Sequence, residues 1–271
     1  MKSTLIILIM FCIPLISATS ISNTNSWLVN VTEEANFTHL TIDNTLAPYD
    51  SLVAYYPFDV AEIITVNKTY DYSNNSNDGT LIGGTAFNTS CLYGNCYTFD
   101  GVDDYVTATL PVTVNRTVSV WFKGNNLVGK QFIINSGTTG FTRFNIYISG
   151  TQLYFGMGSI SEGVIGTIDS GWNYAAITFD NSTTTGKAYL NGIIMNNSII
   201  VTYAGVTTNK ISSFTGTTQY WNGSIDEVMI FNTSLNSSQI SAIYNNQSKR
   251  FKSLGTQTIK QENISTGNYH V

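Results

Sequence analysis

Apolar and polar residues alternate one for one along much of this chain. Between 117 and 123, Val118, Val120 and Phe122 fall on one side of an extended segment, and Thr117, Ser119, Trp121 and Lys123 on the other. Residues 172–180 repeat the pattern, with Asn173, Ala175, Ile177 and Phe179 against Trp172, Tyr174, Ala176 and Thr178. A period of two sends successive side chains to opposite faces of a strand. Shorter runs predict strands at 52–59, 80–82, 131–135, 142–149, 151–156, 187–190, 193–196 and 224–231. Turn dipeptides punctuate them. Ser149-Gly150 and Asn191-Gly192 each sit between two runs, and Asn-Gly is a strong two-residue hairpin signal. Asp100-Gly101 predicts a further hairpin between Tyr97–Phe99 and Tyr105-Val106. After the last run, Ser234 or Asn236 is placed to cap a short helix with Leu235, Ile240, Ile243 and Tyr244 on one face. Many short strands without alternating helices predict an all-β fold, an antiparallel β-sandwich or jelly roll with one short C-terminal helix.

The flanks differ from this core. Residues 1–20 start with Lys2, run apolar from Leu5 to Ile16 and end in small residues at Ser17, Ala18 and Ser20, the layout of a secretory signal peptide. That run is shorter than the ~20 residues that span a bilayer. The product is therefore expected to be secreted or cell-surface, with no membrane insertion after signal cleavage. Residues 21–47 are a polar extension or linker in which Val29, Val31, Phe37 and Leu40 are spaced for one or two strands. Residues 249–271 form a polar tail with one possible strand near Thr256–Lys260, leaving 48–248 as the domain. Export makes Cys91 and Cys96 an expected disulfide. The alternative, a metal pair, lacks other ligands nearby, since His39 and His270 lie at opposite ends. Charged residues are only 11% and the net charge is −5, with no Lys/Arg cluster. A phosphate-binding surface needs clustered positive charge, so nucleic acid is excluded as a partner.

Five segments carry a family resemblance: LVAYYPFD (52–59), DYSNNSNDGT (71–80), FDGVDDYV (99–106), WNYAAITFD (172–180) and GSIDEVMIF (223–231). In this order they resemble the laminin-G-like, concanavalin A-like lectin/glucanase jelly-roll domains. The resemblance spans roughly residues 50–248. It implies a jelly-roll sandwich, in a family that includes lectins, adhesion modules and glycosidases. It also implies a calcium ion between the first core strand, a nearby turn and the closing strand. On this sequence those positions are Asp59, the Asp78-Gly79 turn with Gly79, and Asp226, with Asp71 as a further ligand. Calcium wants several oxygens of this kind. The competing reading has Asp71 and Asp78 holding turns, Asp226 at a bulge or edge, and Asp100, Asp103 and Asp104 at a solvated hairpin tip.

Parity places Trp121, Tyr147, Tyr154, Tyr174 and Tyr189 on the face of their strands opposite the core, with Asn145 and Gln152 beside them. If those strands are neighbours in one sheet, five rings share its outer, concave surface. Sugars stack on such rings and hydrogen-bond to tyrosine hydroxyls and asparagine amides. The alternative is a set of scaffold rings covered by other parts of the protein. Glycosidases need two carboxylates facing each other across a sugar bond, and resembling glucanases carry them on a Glu-x-Asp-x-Glu-type strand. None of Glu33, Glu34, Glu62, Glu162, Glu227 and Glu262 pairs at that spacing, and Asp226 and Glu227 are neighbours that point to opposite faces of a strand. The sequence therefore predicts a non-catalytic module binding a glycan or a cell-surface protein, with an assembly module as the alternative.

Overall fold

The computed structural model describes residues 27–31, 49–59, 67–89, 91, 94–137, 140–250 and 257–261. The chain divides into two compact units, residues 38–251 and the two terminal segments 1–37 and 252–271. In the terminal unit, β1 (Trp27–Val31) pairs antiparallel with Gln257–Gln261, each strand lying where the polar flanks predict one. The signal segment 1–20 and the rest of 21–47 up to Pro48 lie outside the described residues.

The larger unit is a sandwich. In chain order its strands are β2 (Leu52–Tyr56), β3 (Lys68–Thr69), β4 (Gly79–Ile82), β5 (Ala86–Asn88), β6 (Cys96–Asp100) and β7 (Tyr105–Thr109). There follow β8 (Arg116–Gly124), β9 (Lys130–Ser136), β10 (Phe144–Ser149), β11 (Gln152–Met157) and β12 (Ile160–Thr167). Then come β13 (Asn173–Asp180), β14 (Thr185–Leu190), β15 (Ile193–Ile200), β16 (Thr208–Ile211), β17 (Asn222–Phe231) and the helix α1 (Ser237–Arg250). The front sheet runs β12-β11-β10-β9-β16-β7-β4-β3. The back sheet runs β15-β14-β13-β8-β17-β6-β5, with β2 also on β17. Every ladder is antiparallel, the architecture of a jelly-roll sandwich.

Between the sheets lie the side chains that alternation assigns inward, including Val118, Val120, Phe122, Ala175, Ile177 and Phe179, all buried. The predicted hairpins at Ser149-Gly150 and Asn191-Gly192 join β10 to β11 and β14 to β15. In the second, Asn191 (φ 50°) and Gly192 (φ 77°) both take the left-handed backbone that a type I′ turn requires.

The Asp100-Gly101 hairpin does not form. β6 belongs to the back sheet and β7 to the front, so residues 100–104 are a crossover between sheets. A second crossover, Gly83–Thr85, carries the chain from β4 to β5. The buried Asp104 ties the two together, accepting the Gly84 N–H at one oxygen and the Asp100 N–H (3.0 Å) at the other. Burial raises the pKa of this carboxyl, against the pull of those two bonds. Cys91 and Cys96 form the expected disulfide, tying the preceding loop to the first residue of β6.

Helix α1 starts at a reciprocal cap. Asn236 Oδ1 accepts the Gln239 N–H (3.0 Å) while Gln239 Oε1 accepts the Asn236 N–H (2.9 Å). Leu235 and Ile240, on either side of the cap, are both buried as a hydrophobic staple.

Candidate functional site

The five predicted rings do not share a surface. Trp121, Tyr174 and Tyr189 point outward from the back sheet, and Tyr147 and Tyr154 outward from the front. On the back sheet α1 lies over the rings. Trp121 is 4% exposed and Tyr174 and Tyr189 are fully buried, in a second core with Met229, Ile240 and Ile243. Tyr244 of the helix stacks on Trp121 at 5.4 Å and tilts against Tyr174 at 5.6 Å. A network of three hydrogen bonds ties helix and sheet together inside this layer. Trp121 Nε1–H donates to Gln247 Oε1 (2.8 Å), and Gln247 Nε2 and the Tyr55 hydroxyl both donate to Glu227 Oε2 (2.8 Å each). These three rings are therefore corrected from ligand platform to helix seat. An amphipathic helix must bury its apolar face, and the outer rings of β8, β13 and β14 supply the partner.

The front sheet keeps an aromatic row. Phe132 of β9 stacks on Tyr147 at 4.8 Å, and Tyr147 on Tyr154 at 5.3 Å and 9°. Phe214, from the segment after β16, extends the row against Phe132 at 4.6 Å. Phe132 reaches this face because a bulge in the β9–β10 pairing sets Tyr147 opposite Phe132, skipping Ile133. Lys130 lies over the Tyr147 ring, 4.2 Å from its centroid, and is held by Glu162 at 2.7 Å. Under this latch Tyr147 is only 2% exposed, while Tyr154 and Phe214 keep intermediate exposure. The Tyr147 hydroxyl is pushed well above the ordinary tyrosine range, first by burial and then by the Glu162 carboxylate. Glu162 itself is held low by its bond to Lys130.

Beside the rings runs a polar row, one register step along the same strands. Lys210 of β16 pairs with Asn135 of β9, Asn135 with Asn145 of β10, and Asn145 with Gly156 of β11. Asn145 Nδ2 donates to Asn135 Oδ1 (3.2 Å), and Asn135 Nδ2 donates to the Phe214 carbonyl. Asn145 Oδ1 is buried without a hydrogen-bond partner. Gly156 leaves room for the Arg143 stem, since a Cβ there would meet Arg143 Cδ at 2.7 Å. Arg143 donates to the Gly158 carbonyl (3.3 Å). At the end of this row Asn135, Gly137, Thr142, Gly205, Thr208 and Lys210 line a depression of about 450 Å³. Lys210 also reaches over the Tyr105 ring at 4.8 Å, joining depression and aromatic face.

Of the predicted ligand residues, Tyr147, Tyr154 and Asn145 thus fall on one face, with Gln152 at the end of β11. Phe132, Asn135, Lys210 and Phe214 were not predicted. The Phe132 parity is inverted by the bulge, and Phe214 stands in a turn-rich stretch with no alternation to orient it.

The candidate calcium-ligating carboxylates Asp71, Asp59 and Asp226 each accept hydrogen bonds within the protein. Asp71 is a loop hub whose oxygens accept the N–H groups of Tyr55 (2.9 Å), Ser73 (2.8 Å) and Asn77 (2.9 Å) and the Ser73 hydroxyl (2.7 Å). Asp59 accepts the Asn95 N–H (3.0 Å), and Asp226 accepts the Glu227 N–H (2.8 Å) at a bulge in β17. Gly79 stands in a front-sheet ladder opposite Thr69. Among the described residues the acidic side chains that do converge, within 4.8 Å, are Asp100, Asp103 and Asp104 at the crossover.

Comparison with known proteins accords with this architecture. A sequence profile of the concanavalin A-like lectin/glucanases superfamily, laminin-G type, matches residues 100–241. No curated protein matches the sequence. Among solved structures, the botulinum neurotoxin serotype D binding domain superposes with a TM-score of 0.59 at 18% identity over 73% of this chain. The binding domain of botulinum neurotoxin DC, in complex with rat synaptotagmin II, gives 0.56 at 19% over the same 73%. This chain spans about half the length of each, 52%. Domain 4 of AbnA, an extracellular arabinanase of Geobacillus stearothermophilus in complex with arabinotriose, gives 0.54 at 19% identity over 72% of this chain and 98% of its own.

Proposed function

This chain belongs to the concanavalin A-like lectin/glucanases superfamily, and on that premise we propose that its sandwich is a non-catalytic glycan-binding module, read through the front sheet. The observation that carries the reading is the stacked row Phe214–Phe132–Tyr147–Tyr154 on a sheet face that α1 does not cover. Pyranose rings lay C–H faces on such rings, and the half-exposed Tyr154 and Gln152, on the same face of β11, supply a hydroxyl and an amide. The neighbour bound to arabinotriose, and the one bound to synaptotagmin II, support ligands of the glycan and cell-surface protein kinds. Cleavage is not part of the proposal, because Glu162 beside the row is committed to Lys130. An exported setting fits the leader-like segment 1–20 and the Cys91–Cys96 disulfide.

A glycan array followed by calorimetry tests this. The expected result is binding of an oligosaccharide that Tyr154→Ala weakens about fivefold, the loss of one stacking contact worth about 1 kcal/mol, with the fold retained. Absence of binding to every glycan rejects the reading.

A second reading, an assembly module, is favoured by the edge strand β15. Ile193, Met195 and Ile200 are exposed there, and no charged residue occurs between Lys187 and Lys210. Uncharged apolar edges are templates for pairing. Light scattering that finds a concentration-dependent oligomer, lost in Met195→Lys, supports this reading over the first.

A further inference from the structure

We infer that the depression at the end of the polar row takes the anionic group of an acidic sugar, a carboxylate or a sulfate ester, while the rest of the saccharide lies along the aromatic row. The inference rests on the reading of the front sheet as a glycan site and specifies the chemistry of that glycan.

Three observations converge on it. First, the front face carries Lys130, Arg143 and Lys210 in a chain whose net charge is −5. Lys130 is paired with Glu162. The contacts of Arg143 and Lys210 are a carbonyl and a ring, not carboxylates. Second, Lys210 lines the depression with Thr208, Val112 and Val206, and its half-buried ammonium lies at the rim, over the Tyr105 ring. Burial lowers its pKa, because a desolvated ammonium lacks a counter-charge. An incoming anion supplies one.

Third, a second cation lies beneath. Arg116, at the start of β8, points inward between the sheets and is 1% exposed. Its guanidinium donates to Ser136 Oγ (3.2 Å) and to Asn209 Oδ1, both neutral, and its Nε–H has no hydrogen-bond partner. Ser136 lies between Asn135 and Gly137, and Asn209 between Thr208 and Lys210, so both acceptors sit immediately behind the lining of the depression. Burying a charge without an opposite one is costly, and its field is weakly screened in the interior. The depression therefore has one cation at its rim and another behind its lining. Because Lys210 and Asn135 belong to both depression and polar row, one short oligosaccharide can touch the anion subsite and the rings together.

The test is calorimetry on the full chain with matched ligands: a tetragalacturonate against its methyl ester, and a sulfated galactan tetrasaccharide against its desulfated form. We expect at least one acidic ligand to bind tenfold or more tightly than its neutral partner, with affinity falling as NaCl rises from 50 to 300 mM. The carboxylate and sulfate arms separate the two sources of charge. Lys210→Gln should erase most of the preference while Lys210→Arg retains it, and Lys187→Gln on the back sheet should leave it intact. Thr208→Glu, at an exposed position of the depression, should repel the acidic ligand without altering the melt, giving a second variant independent of Lys210. Equal binding of acidic and neutral forms, or equal loss of both in Lys210→Gln and Thr208→Glu, overturns the inference and leaves the glycan reading standing. Binding of no saccharide overturns both.

Discussion

The two outer faces of this sandwich obey the same two-residue rule and end in opposite states. On the back sheet, Trp121, Tyr174 and Tyr189 are sealed beneath α1 as a second core. On the front sheet, Tyr154 and Phe214 remain accessible at the ends of a stacked row, and Lys130 with Glu162 shields the middle. Alternation therefore tells which way a ring points from its strand. It does not tell what lies on the far side. A ring facing away from the first core faces either water or another element, and that outcome depends on where the next amphipathic segment folds.

The contrast makes predictions of different size. Trp121→Ala should lower unfolding stability by about 3–5 kcal/mol, the usual cost of emptying a buried aromatic site, read by denaturant titration. Tyr154→Ala on the front should cost about 1 kcal/mol or less. Comparable losses at the two positions would erase the distinction between the faces. Gln247→Leu should cost about 1–3 kcal/mol, because it leaves the Trp121 Nε1–H and a Glu227 oxygen without their shared partner.

Titration separates the faces further. The hydroxyls of Tyr174 on the back and Tyr147 on the front are both raised above the ordinary tyrosine range, chiefly by burial. A raised folded-state pKa gives stability that is complete below the unfolded value of about 10 and is lost as pH rises beyond it. The protein should therefore weaken in alkali. Glu162→Gln should lower the pH at which Tyr147 ionises, by removing the carboxylate, without restoring an ordinary value, because burial is the larger cause. It should leave Tyr174 unmoved, and ultraviolet titration of Tyr→Phe variants assigns each step. The smallest expected effect is that of a chelator. With Asp71 bonded to its own loop and Asp59 and Asp226 each accepting a backbone N–H, the melting temperature should not change. A fall in the melt on chelation, abolished by Asp226→Ala, would restore the calcium site.

The sequence made the architecture legible because core strands here are long enough to alternate cleanly. The inward set Val118, Val120, Phe122, Ala175, Ile177 and Phe179 is found where period two puts it. The Asn191-Gly192 hairpin and the Asn236-capped helix follow from local backbone chemistry and need no tertiary information. Three features were not legible. Asp100-Gly101 has hairpin chemistry yet crosses between sheets, because Asp104 binds this turn to the Gly84 turn instead of allowing β6 and β7 to pair. Phe132 changes face at a bulge, which a sequence period cannot register. The destination of α1 is a long-range choice. Its apolar stripe announced that some surface would be covered, and the outward rings of β8, β13 and β14 are the surface it took.

That closing strand has a temporal consequence. β17 is the last strand of the sandwich to be encoded, yet it has neighbours on both edges, β8 along one and β6 then β2 along the other. A ribosome delivers β2 first and adds residues at about 5–20 per second, so the earliest strand waits on the order of ten seconds for the centrepiece of its sheet. During that interval β2, β6 and β8 present open edges to any other growing chain. A message cut short before Asn222 would yield two half-sheets with nothing between them.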